Sequence, residues 1–226
     1  MPIFFPSFNE SRRSLDATIS QAMLSVSSPQ NRFPARLAVI AVAAESSGVF
    51  EAANVPYLLC GVGKVNAAIT LTNELNRYAH ASVPMPMVMN FGTAGSRIHP
   101  PGSLVECVEF IQRDMDAREL GFPLGTTPFD TLQPKLTFAP TFGNLPTAVC
   151  GTGDSFVSGS ADIECGIVDM EAFALAKVCK VFAAAFACVK YVSDGADHSS
   201  AADWQSNVHK AADEFLRLYN GLHSPN

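Results

Sequence analysis

The chain has 226 residues, of which 48% are hydrophobic and only 16% charged, where an average soluble domain carries about 25% charged residues. This excludes a disordered chain, which needs low hydrophobicity and high net charge, and no uninterrupted apolar run reaches the roughly 18 residues of a membrane helix. A formal net charge of −6 leaves no electrostatic footprint for nucleic acid or anionic lipid, and so low a charge fraction predicts that some surface is buried against a partner.

Residues 1–35 are rich in Ser, Pro and Phe and lack a long apolar core, so they read as an N-terminal extension rather than a signal peptide. Within them SLDATISQAMLSV places Leu15, Ile19 and Met23 on one stripe of a short amphipathic helix. A single domain is predicted over 36–226. It begins with apolar runs at 37–43 (LAVIAVA) and 57–60 (YLLC), followed by a helical pattern over 63–78. Further runs occupy 87–91 (MVMNF) and 103–110 (SLVECVEF). The stretch 112–146 is rich in Pro and Gly and reads as loops and short strands. Runs at 147–150 (TAVC) and 166–170 (GIVDM) precede a helical pattern over 171–182, and a last run at 184–192 (AAFACVKYV) precedes another over 203–220. Short runs rich in Val, Ile and Phe and bounded by Gly read as strands buried on both faces. Their alternation with helices predicts an α/β fold, a three-layer αβα sandwich around a central mixed sheet.

The six cysteines include no CxxC pair and lie mostly in apolar runs, which predicts free thiols in a reducing, cytoplasmic compartment. The five histidines show no metal-ligand spacing; no metal and no cofactor are expected.

Ligands of open α/β sheets bind outside the carboxyl ends of the strands, and those ends are informative here. YLLC runs into Gly61-Val62-Gly63, MVMNF into Gly92-Thr93-Ala94-Gly95, and TAVC into Gly151-Thr152-Gly153-Asp154-Ser155-Phe156. GIVDM runs into Glu171, and AAFACVKYV into Ser193-Asp194-Gly195-Ala196-Asp197. GVGKVN is not a dinucleotide fingerprint, because its third glycine and the following acidic residue are missing. A GKS or GKT phosphate loop is absent as well.

In this order and spacing, GVGKVNAA, NFGTAGS, GTGDSFVSG, VDMEAFALAKVC and VKYVSDGAD resemble the nucleoside phosphorylase/nucleosidase superfamily, and most of all its 5′-methylthioadenosine/S-adenosylhomocysteine nucleosidase branch. The resemblance spans roughly residues 36–220. It implies a nucleoside phosphorylase-like fold, a homodimer, a role in methionine salvage and hydrolysis of the N-glycosidic bond of a purine nucleoside, most simply an adenine nucleoside. That reaction needs an acid on the departing base, a group that activates water, and anchors for the sugar hydroxyls.

Read alone, Asp194 fits a turn former or helix N-cap; at the end of an apolar strand, desolvation favours its protonated form. The resemblance implies that it protonates purine N7, with Ser193 holding it, while Asp197 reads as a structural cap. Glu171 suits a ribose cis-diol, since a carboxylate accepts from both hydroxyls, and it equally suits the first turn of a helix capped by Asp169 or a neighbour. The resemblance assigns Met170 and Glu171 to the ribose, Phe156 to stacking on the base, and Val157 to backbone bonds with the purine. It places Thr93, Ala94 and Gly95 beneath base and sugar. Glu45 matches the water-activating position, with a solvated loop glutamate as the alternative. Lys190 interrupts an apolar strand, and a buried ammonium needs a partner, so a Glu45–Lys190 interaction is expected.

Phosphate recognition favours guanidinium forks and free backbone N–H groups. The first strand instead ends in Ala43-Ala44-Glu45, and Asn90 stands where the phosphorylases carry an arginine, so both positions favour water over phosphate. Residues 110–116 fall where the resemblance implies contacts to the 5′ substituent. Arg113, Asp114 and Asp116 make that stretch more polar than a thioether pocket needs, which leaves the 5′ substituent open. The other readings are a purine nucleoside phosphorylase of the same fold and a nucleoside-binding protein without catalysis.

Overall fold

The computed structural model describes residues 33–156, 163–197 and 200–222; the helix expected within the N-terminal extension lies outside them. Eight strands among the described residues form one mixed sheet. They are β1 (Arg36–Ile40), β2 (Tyr57–Leu59), β3 (Met87–Gly95), β4 (Leu104–Gln112), β5 (Lys135–Thr137), β6 (Thr147–Thr152), β7 (Ile167–Asp169) and β8 (Phe186–Asp194). The helices are α1 (Ala43–Ser46) and α2 (Val49–Ala52), each a single turn, then α3 (Lys64–His80), α4 (Ala172–Phe182), α5 (Ser200–Asn207) and α6 (Ala212–Gly221).

Alternate residues of each central strand enter two separate cores, as period-2 side-chain alternation requires. From β1, Leu37 and Val39 join one core while Ala38 and Ile40 join the other. From β8, Phe186, Cys188 and Val192 face the first core, and Ala187 and Val189 the second. Helices α3 and α4 cover the first core through Ala67, Leu71 and Leu75 and through Ala172–Ala176. Helix α6 covers the second, where Phe215 stacks on Phe91 at 5.2 Å between ring centroids. Helices therefore lie on both faces of the sheet, as strand–helix alternation predicts.

The sheet is not open, however. Strand β8 pairs in parallel with β3 and antiparallel with β4, β4 pairs with β6, β6 with β7, and β7 returns to β3 through Gly95 and Val168. Five strands thus close into a small barrel, with β1 and β2 extending it from β3. Closure depends on β3 and β8 running past the apolar stretches into the glycine and carboxylate motifs. It also depends on a register shift between Ala94 and Gly95 that leaves Ser193 without a partner on β3, since such bulges bend and twist a strand.

Strand β5 is a short strand of the kind expected within 112–146 and pairs antiparallel with β4. The single helix expected over 203–220 is two helices, interrupted at 208–211, because its halves serve different surfaces. Asn207 in α5 donates from Nδ2 to the Ser193 carbonyl at 2.7 Å, while Phe215 and Tyr219 of α6 enter the second core. None of the helices is long and apolar enough to cross a membrane among the described residues.

Candidate active site

The turn after β1, the C-terminal ends of β3, β7 and β8, and helix α5 line a cavity of about 330 Å³. Glu45, Thr93, Ala94, Gly95, Phe156, Met170, Glu171 and Asp194 all line it. Strands β1, β3 and β8 run parallel and deliver their C-terminal residues to one rim, while β7 runs antiparallel to β3 and crosses it at Gly95, which brings Met170 and Glu171 to the same cavity. Val157 lies outside the described residues.

Glu45 is the third residue of α1, and its carboxylate folds back over the helix start in half of a capping box. The N–H groups of Ala41 and Val42 donate to Oε2 at 3.2 and 3.4 Å. From β3, both the N–H and the hydroxyl of Thr93 donate to Oε1, at 2.7 and 2.8 Å. Glu45 is 4% exposed, so it is a buried carboxylate held by four donors and not a solvated loop residue. Gly92 permits this approach: a Cβ there would stand 3.2 Å from Glu45 Oε1 and 3.3 Å from Lys190 Nζ.

Lys190 does not form the expected ion pair with Glu45, and it does not line the cavity. It is buried against Asp169, Nζ to Oδ2 at 2.9 Å. Strand β7 is paired with β6 and bridged to β3, which brings Asp169 to Lys190. Burial opposes the charge on Lys190, but Asp169 and the surrounding carboxylate and thiol groups hold its pKa well above the ordinary value. Burial likewise opposes the charge on Asp169, and Lys190 with the Thr152 hydroxyl more than compensates, keeping its pKa low. Asp169 Oδ2 also accepts the Ala172 N–H at 2.8 Å and caps α4.

Glu171 precedes α4 and is 7% exposed. Its Oε1 accepts the Gly63 N–H at 2.9 Å, just before α3, and the first N–H of that helix, on Lys64, donates to Asp154 Oδ1 at 2.8 Å. Carboxylates from distant segments thus satisfy N–H groups that a helix N-terminus leaves unpaired. Burial, and then the neighbouring Asp169 charge, push the Glu171 carboxyl up to about 7.

Asp194 ends β8 and is 4% exposed. Its Oδ1 accepts the Ala196 N–H at 3.0 Å, and its Oδ2 lies 2.8 Å from Ser193 Oγ. Ser193 is fully buried and is also 3.3 Å from the Ala94 carbonyl. Its hydroxyl can therefore donate to an ionised Asp194, or accept from a protonated one while turning its own proton to Ala94. Phe156 is half exposed at the cavity wall, a ring outside both cores.

The charged residues of 110–116 brace loops. Arg113 lines the cavity, but its guanidinium donates to Ser155 Oγ and to the carbonyls of Gly153 and Ser155, steadying the turn that carries Phe156. Asp114 pairs with Lys64 and accepts the Asp154 N–H, while Asp116 pairs with Arg118 at the surface. Asn90 is buried away from the cavity, donating to the Val39 carbonyl and accepting from the Cys188 thiol. Burial pushes the thiols of Cys60 and Cys150 up to about 12, away from the range of a nucleophile. Trp204, at the cavity wall on α5, was not singled out by sequence; a lone tryptophan in a polar helical stretch carries no periodic signal.

A family model described as the phosphorylase superfamily matches residues 46–222. A 5′-methylthioadenosine/S-adenosylhomocysteine nucleosidase of Anoxybacillus flavithermus is 31% identical over 188 residues, covering 74% of this chain and 78% of the relative. The enzyme of that name from Haemophilus ducreyi is 31% identical over 186 residues, covering 73% and 74%. Among solved structures, a futalosine hydrolase mutant of Helicobacter pylori superposes with a TM-score of 0.71 at 19% identity, covering 83% of this chain and 99% of that one. A mutant MTAN of Helicobacter pylori with 5′-methylthioadenosine in its active site superposes with a TM-score of 0.70 at 19% identity, covering 83% and 98%.

Proposed function

The chain belongs to the phosphorylase superfamily, and from that premise we propose that it is a purine nucleosidase, hydrolysing the N-glycosidic bond of an adenine nucleoside. The observation that carries this reading is the convergence of two buried carboxylates, Glu45 and Asp194, on one cavity that also holds Glu171, Met170 and Phe156. Its volume, about 330 Å³, sits at the small end of the roughly 300–1,000 Å³ usual for ligand pockets, which suits one nucleoside.

Asp194 donates its proton to purine N7 as the glycosidic bond breaks, and Ser193 reverses its hydrogen bond to follow the change of charge. Phe156 stacks on the base. Glu171, on the cavity wall beside Met170, accepts from the 2′ and 3′ hydroxyls. Glu45 orients and deprotonates the attacking water, held by Thr93 so that Oε1 keeps its direction as charge develops. Lys190 acts indirectly: by pairing with Asp169 it keeps that carboxylate ionised beside Glu171.

Water is favoured over phosphate because Glu45 places negative charge where the nucleophile must sit, and because the Arg113 guanidinium at the cavity is already engaged by Ser155 and Gly153. Incubating the protein with adenosine, 5′-methylthioadenosine, S-adenosylhomocysteine and other purine nucleosides, with and without phosphate, tests this reading. Equal release of free base and ribose in both buffers is expected. Release that requires phosphate makes it a phosphorylase, and ligand binding without release makes it a binding protein. Activity on 5′-methylthioadenosine or S-adenosylhomocysteine would assign it to methionine salvage.

The protein acts as a homodimer in the cytoplasm on this reading. Val65 and Ile69, one turn apart on α3, are 66% and 57% exposed, and Val62 at the cavity rim is 48% exposed. This apolar strip gives the low overall charge a specific use, covering one protomer with the other beside the cavity. Six free cysteines fit a reducing compartment. Sedimentation of the active enzyme as a monomer overturns the dimer.

A further inference from the structure

The Trp204 indole sits on α5 with Nε1 2.9 Å from Thr93 Oγ1. An indole N–H can only donate, so the Thr93 hydroxyl must accept this bond. Its single proton is then left for the neighbour on its other side, Glu45 Oε1 at 2.8 Å. Without the indole, a threonine hydroxyl rotates freely among its acceptors. With it, the rotor has one setting, and Thr93 grips Oε1 with both N–H and O–H. These are the two short bonds to Glu45; the donors to Oε2 stand farther away, at 3.2 and 3.4 Å. Three residues on, and hence on the same helix face, Asn207 donates to the carbonyl of Ser193, whose hydroxyl meets Asp194. Helix α5 therefore reaches the supports of both carboxylates while its ring forms part of the cavity wall.

We propose that Trp204 is a positioning residue for the water-activating step: through the Thr93 hydroxyl, its indole N–H fixes the direction in which Glu45 presents Oε1. This rests on the nucleosidase reading, in which Glu45 activates the water. A ring that merely fills space would serve equally well without its N–H; a positioning residue would not.

Trp204→Phe keeps an aromatic wall and removes the donor. The expected result with the best nucleoside of the panel is a loss of about tenfold in kcat with KM within about twofold of wild type. Thr93→Val removes the intermediate hydroxyl and is expected to lose more. In the Thr93→Val background the Trp204→Phe change should then cost less than twofold, because the two act in series. Trp204 is the chain's one tryptophan, so a single indole N–H resonance reports the bond directly. Thr93→Val should shift that resonance and speed its exchange with solvent. A wild type active on nucleosides with Trp204→Phe within twofold of it in kcat refutes the role of Trp204 alone, as do multiplicative losses in the double variant or an indole resonance indifferent to Thr93→Val. A wild type inactive on every nucleoside refutes the hydrolase reading and the catalytic role of Trp204 together.

Discussion

Glu171 should make the free protein less stable as the solution becomes more alkaline, and its neutral isostere should remove the effect. Its carboxyl is raised from an ordinary 4.5 to about 7 by burial and by the Asp169 charge. Between those two values the folded protein keeps a proton that the unfolded chain has released. The contribution of this group to stability is therefore greatest below pH 4.5 and falls as the pH rises through 7. At about 1.4 kcal/mol per pH unit, the loss from this group is roughly 3 kcal/mol. A glutamine in place of Glu171 would carry no charge, could still accept the Gly63 N–H, and would leave the Asp169–Lys190 pair in place. Glu171→Gln should match wild type near pH 4.5 and exceed it at pH 8 by roughly 3 kcal/mol, about 6–12 °C in Tm for a domain of this size. The neighbouring pair does not blur the window. The depressed Asp169 carboxyl contributes stability that is lost only in acid below its unfolded value, and the raised Lys190 titrates above the ordinary lysine range. Denaturant unfolding of both proteins at pH 5, 6, 7 and 8 measures the difference, and parallel curves would refute a raised Glu171. The same substitution removes the proposed ribose anchor, so added stability should come with lost base release.

Asp194→Asn should lower turnover by about 10²–10⁴-fold while adenine nucleoside still binds, read by calorimetry beside base release; unchanged turnover removes Asp194 as the acid. Lys190→Met leaves Asp169 buried and unpaired, which should cost about 3–5 kcal/mol in denaturant unfolding, and a cost below about 1 kcal/mol contradicts the ion pair. Gly95→Ala puts a Cβ 2.8 Å from Asp194 Oδ1 and 3.1 Å from both Ala196 Cβ and Val168 Cγ2. It should abolish activity and lower stability together, and a fully active variant would show that Asp194 does not need this approach.

Much of the layering was legible because each central strand is apolar at nearly every position, a pattern that only burial on both faces explains. Closure of the sheet was not legible. It turns on one bridge between Gly95 and Val168 and one unpaired residue, Ser193, and neither alters the apolar pattern of the strands. The break between α5 and α6 was hidden for a related reason. Residues 203–220 keep a helical stripe in sequence, but the first half is drawn to Ser193 and Thr93 and the second to Phe91.

At the site, strand ends were the readable part: β1, β3 and β8 run parallel and end at one rim, and β7, though antiparallel to β3, crosses it at Gly95 so that its end meets the same cavity. Glu45, Glu171 and Asp194 were found that way. Pairing between side chains is a finer property, and Lys190 shows why. Sequence says that a buried ammonium needs a partner and points to Glu45, whereas the fold gathers Glu45, Asp169, Glu171 and Asp194 in one region. Hydrogen-bond satisfaction does not make the choice, because all four carboxylates have donors of their own. Glu45 has four donors without Lys190, and Glu171 has Gly63. Asp194 has Ser193 and Ala196. Asp169 has a hydroxyl, a thiol and helix-capping N–H groups, and its buried side chain is the one that lies 2.9 Å from Lys190 Nζ. That full opposing charge, with the hydrogen bonds, keeps the buried Asp169 ionised. Lys190 pairs with Asp169, which leaves Glu45, Glu171 and Asp194, on the same cavity wall, held mainly by neutral donors and free to exchange hydrogen bonds with a ligand.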